Sequence, residues 1–165
     1  MFIGTHTLLP VVTALCIDGA RLASGRGEGF PAWSIATIGF FGALPDLCTP
    51  HLSLEARYSS WSHTLAFTIA LLPMAALVST LFPKGNRLRV ALACWLGGVL
   101  HLACDALSGG IAWLQPWSDS ILGTYYIHPN YWPVSDAVFV LMTWFLLMLR
   151  RHLRQRAVEF RTTPA

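Results

Sequence analysis

Five apolar stretches, each broken off by proline, glycine or a cluster of charge, set the pattern of this chain. Their lengths predict membrane helices rather than strands, because a helix needs about 20 residues to cross a bilayer core. The first runs from about Phe2 to Leu22, and the second from about Pro31 to Leu44. In the second, Pro31 suits a first helical position and Pro45 reads as a break. The third, Thr64 to Phe82, holds nineteen residues without a charge and is the clearest. Ser60 or Ser62 can cap its start, while Pro83 and Gly85 stop it. A fourth run, Val90 to Leu107, carries only His101 and Asp105 as ionisable side chains. The fifth, Val134 to Leu149, ends at Arg150 and Arg151. Pro10 and Asp18 make the first run the weakest span, and the second and fifth are short enough to need support from neighbours.

Composition agrees with that division. Apolar residues form 55% of the 165 positions and charged residues 12%, well below the quarter typical of soluble domains. The expected fold is therefore an all-α integral membrane bundle of about five helices. Residues 1–150 read as one membrane-embedded domain and 151–165 as a basic cytoplasmic tail. The net charge of +3 does not form a basic face interleaved with aromatics, so no nucleic acid is expected as a partner. Instead, the Lys and Arg residues flank the apolar runs. Ten of the eleven fall between runs one and two, between three and four, or after five, and Arg57 is the exception. The rule that such loops stay inside predicts an outside N-terminus and a cytoplasmic C-terminus. No Lys or Arg precedes the first run, which argues against a cleaved signal peptide. The segment from Ser108 to Pro133 then faces outward, and its Trp113, Trp117, Tyr125, Tyr126, Tyr131 and Trp132 suit an interfacial aromatic belt.

Five potential metal ligands fall on that same outer side: His6, Asp46, His63, His101 and Asp105. Ionisable groups beside hydrocarbon are costly and tend to mark function. Their shared depth, obtained from hydropathy and basic residues alone, points to one site. His101 and Asp105 are four residues apart and so share a helix face, with Cβ atoms about 5–6 Å from each other. His51, His128, Asp119 and Asp136 are lesser candidates, as accessory ligands or as acceptors behind a ligand imidazole. His152 belongs to the basic tail. Cys16, Cys48, Cys94 and Cys104 lack C-x-x-C spacing, which removes zinc-ribbon and thioredoxin-like readings. No G-x-S-x-G frames a serine nucleophile.

The stretches Gly4-Thr5-His6, Gly42-Ala43-Leu44-Pro45-Asp46, Arg57 with Ser62-His63-Thr64, and His101-Leu102-Ala103-Cys104-Asp105 through Gly110 together resemble the YdjM-type inner-membrane metal-dependent hydrolases over roughly residues 4 to 117. The order of ligands is also similar to the zinc core of bacterial phospholipase C and single-strand nucleases. That resemblance implies a central ion held by Asp46, His63, His101 and Asp105, with His6 and a shared Asp105 near a second. One departure stands out: where the family often shows Pro-Asp-hydrophobic-Asp-His, this chain has Cys48 in place of the second carboxylate. One or two divalent ions, zinc foremost, are the expected cofactor.

The implied activity is hydrolysis of a phosphoester by metal-activated water, with Asp46, Asp105 and Arg57 as catalytic residues. Arg57 is the lone outer-loop arginine, suited to a phosphate oxygen or a lipid headgroup. A site at headgroup depth in the bilayer implies a lipid or lipid-linked substrate. The competing reading is a non-catalytic membrane protein or a metal or proton transporter built on the same cluster, although transporters place ligands nearer the midplane.

Overall fold

The computed structural model describes residues 3–50, 53 and 55–162, with backbone alone for residues 55 and 158–162. Five α-helices form the molecule: α1 (Ile3–Ala23), α2 (Ala32–Cys48), α3 (Leu65–Ser79), α4 (Arg87–Leu107) and α5 (Trp132–Thr162). No strand occurs among the described residues. Two isolated bridges, Ser108 with Tyr125 and Ile111 with Leu122, fold the 108–131 segment back on itself. The fold is an all-α bundle in which α4 packs against α1, α2 and α3, and α5 lies chiefly along α1.

Two prolines that read as weak points are absorbed. Pro10 withholds an N–H from the carbonyl of His6, yet α1 continues through it, and Gly42 of α2 packs at that place. A Cβ on Gly42 would stand 2.7 Å from Pro10 Cγ, so only glycine lets the two helices approach so closely. Likewise α2 does not break at Pro45. Its last turn runs on to Cys48, closed by the Thr49 amide returning to the Pro45 carbonyl at 3.2 Å. Continuation of that turn puts Asp46 one turn beyond Gly42 on the same helix face.

The third and fifth spans also differ from expectation. At 15 residues, α3 is too short to cross a full bilayer core. It starts at Leu65 because Thr64 is the cap, its Oγ1 accepting from the Phe67 amide at 3.2 Å. Ser60 and Ser62, the expected caps, are turned elsewhere. By contrast α5 runs 31 residues, carrying the basic tail as a continuous helix. Its arginines, glutamine and leucines are good helix formers, and two of the arginines have acidic partners.

Those partners form a buried clamp. Asp18 is fully buried; its Oδ1 accepts from the Gly29 and Phe30 amides at 2.5 and 3.2 Å, and its Oδ2 from Arg150 Nε at 2.6 Å. Arg150 also donates to the Phe30 carbonyl at 2.5 Å and to Glu28 at 3.3 Å, and Arg154 pairs with Glu28. The α1–α2 connection is thereby fixed to α5. Asp18, which seemed to weaken the first span, is what ties that end of the bundle together.

Outward-facing surfaces are apolar. Val138, Leu141, Trp144, Phe145 and Met148 of α5 are all exposed, an arrangement that water would penalise and lipid accepts. Three helical segments, Ile3–Ala23, Lys84–Leu107 and Pro129–Ala157, are long and apolar enough to cross a membrane.

Breaking the clamp on one side leaves an uncompensated buried charge, which costs about 3–5 kcal/mol. Arg150→Met should therefore lower the thermal midpoint of the detergent-purified protein markedly, and the double variant Asp18→Asn/Arg150→Met should recover part of the loss. Equal midpoints for the parent and Arg150→Met would show that the clamp contributes little.

Candidate metal centre

α2 and α4 run in the same direction, and their close approach builds the site. At Gly97 an added Cβ would come within 3.2 Å of the Ile38 carbonyl and of the Gly42 amide nitrogen, so bare glycine brings the two backbones together. One turn further along α4, His101 donates through Nδ1 to the Gly42 carbonyl at 2.7 Å. A carbonyl only accepts, so the proton sits on Nδ1 and, in the neutral ring, Nε2 presents its lone pair. Another turn on, Asp105 faces Asp46.

His63 enters from the 3₁₀ turn at residues 61–63, just before α3. Its Nδ1 lies 2.9 Å from Ser60 Oγ and 3.2 Å from Ser62 Oγ. The Ser62 hydroxyl already donates to the Pro45 carbonyl at 2.7 Å, so toward His63 it can only accept. With a proton on Nδ1 directed at Ser62, Nε2 is left as an inward lone pair, while the nearer Ser60 hydroxyl is able either to accept from Nδ1 or to donate to it. Both imidazoles are thus prepared by hydrogen bonds on the far side of the ring, the arrangement metal-binding histidines usually show.

The four inward atoms converge. His63 Nε2 stands 3.2 Å from Asp46 Oδ1 and 3.3 Å from Asp105 Oδ2. His101 Nε2 stands 3.5 Å from Asp46 Oδ1, 3.3 Å from Asp105 Oδ2 and 3.3 Å from His63 Nε2. One ligand atom from each of the four residues lies within 4.8 Å of all the others. Donors about 2.0–2.1 Å from a common tetrahedral centre stand about 3.3–3.4 Å apart. Five of the six edges match that spacing, and two nitrogens with two carboxylate oxygens are a donor set that zinc accepts. The residues fit a metal ion.

Three of the four ligand side chains are essentially inaccessible, whereas Asp46 is 19% exposed. Any approach from outside therefore comes past Asp46.

His6 is brought to the cluster without being one of the four. Its ring stacks on His101 with centroids 4.0 Å apart, and its Nε2 lies 3.2 Å from Asp105 Oδ1. That is the carboxylate oxygen turned away from the converging set. Buried Arg57 takes the same oxygen through Nη1 and the Ser108 carbonyl through Nη2 at 3.1 Å. Together they hold Asp105 so that Oδ2 alone points inward. Arg57 was expected as a loop cation facing substrate; instead it is 2% exposed and engaged with a ligand.

The lesser candidates disperse. Asp136 holds the start of α1, accepting from the Thr5 amide at 2.8 Å and from its hydroxyl. Exposed His128 caps the following turn through the Asn130 amide. Asp119 is exposed and pairs with Gln115, and His152 is exposed on the helical tail. His51 lies outside the described residues. Cys48 and Cys104 are both free thiols.

The groups that sequence reasoning passed over are those behind the ligands: the Gly42 carbonyl, Ser60 and Ser62. Only the Ser-x-Ser-His spacing hinted at them. A search of curated proteins returns no match, and neither does a search of solved structures. A family model described as YdjM inner membrane protein matches residues 1–162. Nearly the whole helical bundle, with its buried Asp/His cluster, is covered by that match, and the chain belongs to the YdjM inner membrane protein family.

Proposed function

We propose that this protein is a membrane-bound, metal-dependent hydrolase that cleaves a phosphoester in a lipid or lipid-linked substrate, with the site toward the extracytoplasmic face. The observation that carries the reading is the near-tetrahedral convergence of His63, His101, Asp46 and Asp105, with each imidazole oriented from behind. A divalent ion held there, zinc foremost, supplies Lewis acidity toward a phosphoryl oxygen and hydroxide near neutral pH. The ligand order resembles that of zinc phospholipase C and the single-strand nucleases, which supports a phosphoester over an amide.

The chain's own residues divide the remaining work. His101 and His63 hold their lone pairs inward, and Asp105 offers one oxygen because Arg57 and His6 restrain the other. Asp46, the single accessible ligand, is the position beside which a substrate oxygen and the attacking water have room. With Lys84, Arg87 and Arg89 preceding or opening α4 and the cluster at the far end of that helix, the basic residues favour the cytoplasm for the opposite end of the bundle.

One observation favours a second reading. Four protein donors close a tetrahedral shell, which is the habit of structural zinc, whereas catalytic zinc keeps a position open. On that reading the ion clamps α2, α4 and the 61–63 turn together and does no chemistry.

Metal analysis of protein purified without chelator should find about one zinc, manganese or similar divalent ion per chain, lost in His101→Ala and in Asp46→Asn. Arg57→Gln should keep the site but weaken it by about 10–100-fold, the usual effect of removing a group that orients a ligand. Equal metal content in all four proteins, or none in any, would remove the metal centre.

Assayed on phosphodiester and phosphomonoester panels with added zinc or manganese, the parent should hydrolyse at least one class and Asp46→Asn should not. A metal-loaded protein that hydrolyses none of them would favour the structural clamp.

A further inference from the structure

Beside the metal centre lies a groove of about 430 Å³, lined by Ser59, Trp61, Thr64, Ala66, Phe67, Ala70, Gln115 and Pro116. Its volume falls in the range of ordinary ligand sites. The segment from Ser59 to Thr64 forms the wall between groove and centre. Ser59, Trp61 and Thr64 line the groove, while Ser60, Ser62 and His63 are buried toward Asp46. The partition is one chain thick.

The groove also has a direction. Ala66, Ala70, Met74 and Leu77 fall on one stripe of α3 at helical spacing, and Met74 and Leu77 at its far end are exposed. From Ala66 to Leu77 the stripe is about 16 Å long, close to half of the roughly 30 Å hydrocarbon core. That is the depth of one leaflet. Its polar lip, made by Ser59, Thr64 and Gln115, sits at the end nearest the metal centre, and its apolar floor leads away from it. Trp61 closes the lip edge-on to Phe67, with ring centroids 5.1 Å apart, and the Leu65 amide donates to the Trp113 carbonyl at 2.9 Å, which holds the outer segment against the groove.

We propose that this groove seats one acyl chain of a bilayer glycerophospholipid, with the polar head at the lip beside His63. A protein helix would need a long apolar trough with anchors on both walls, whereas this groove ends at Ala70, beyond which Met74 and Leu77 of the same stripe are exposed on the apolar outer surface. The inference deepens the hydrolase reading by naming a glycerophospholipid as the substrate class, and it rests on that reading only for the chemistry, not for the binding.

Native mass spectrometry of the full-length protein, extracted from membranes in mild detergent and exchanged with a diacyl phosphatidylethanolamine and phosphatidylglycerol mixture, tests it. The parent should retain about one diacyl lipid per chain. Ala70→Trp, which fills the groove, should lower retention at least tenfold, and the smaller filling variant Ala66→Leu should lower it in the same direction. Leu72→Trp, on the opposite exposed face of α3, should leave retention at the parent level. A thermal midpoint in detergent equal to the parent's in each variant shows the bundle intact.

Equal retention in all four proteins, or equal loss in Ala70→Trp and Leu72→Trp, would overturn the groove assignment. Because retention is read by mass, a protein that binds lipid yet hydrolyses nothing keeps the groove and loses the enzyme. One that hydrolyses phosphoesters while retaining no lipid does the reverse.

Discussion

Everything at one end of this bundle depends on bringing two imidazole lone pairs and two carboxylates into the same few ångströms. Such a set is held together by a cation among its members or by protons on its rings, and burial in low dielectric sharpens the penalty of leaving it with neither. The surrounding structure nonetheless enforces it. Glycines at positions 42 and 97 let α1, α2 and α4 approach to backbone contact, the Gly42 carbonyl turns His101, and two serines turn His63. A packing accident would not supply a separate hydrogen bond behind each ring.

The opposite end obeys the same constraint with charges that neutralise each other. Asp18, Glu28, Arg150 and Arg154 satisfy one another and the backbone of the α1–α2 connection. α1 therefore reaches α5 through polar contacts at both ends, Thr5 with Asp136 and Asp18 with Arg150. Between them, Leu15 of α1 and Leu146 of α5 belong to one apolar cluster. Polar groups at two depths fix the helix register, which apolar packing within lipid specifies poorly because hydrocarbon contacts there are interchangeable with lipid contacts.

Much of this was legible in the sequence, for identifiable reasons. Helices of this type announce themselves through long uncharged runs, and His101 with Asp105 declared a shared face through spacing alone. His63 and Asp46 joined them because the count of alternating spans put them at the same end. What could not be read were relations between residues far apart in the chain. Asp18 and Arg150 are separated by 132 positions, so one looked like a flaw in a span and the other like an ordinary flanking charge. Arg57 read as a cation for a phosphate oxygen or a lipid headgroup because it is the lone arginine of an outer loop, yet the folded 108–131 segment offers the Ser108 carbonyl that draws it inward. Pro45 reads as a stop by any local rule. It fails to stop α2 because the helix end needs only one more turn, and Thr49 closes that turn.

The closed appearance of the four-donor shell does not by itself decide between clamp and catalyst. A clamp gains from burying every ligand, since each accessible donor invites competing water. Here the exposure is uneven: His63, His101 and Asp105 are sealed, and Asp46 is not. Asp46 also stands in the last turn of α2, one residue past Pro45. A carboxylate so placed can shift at little cost to the fold, and zinc expands to five-coordination readily. The asymmetry puts the one accessible member of the cluster on the last turn of α2, the side from which anything entering the cluster would come.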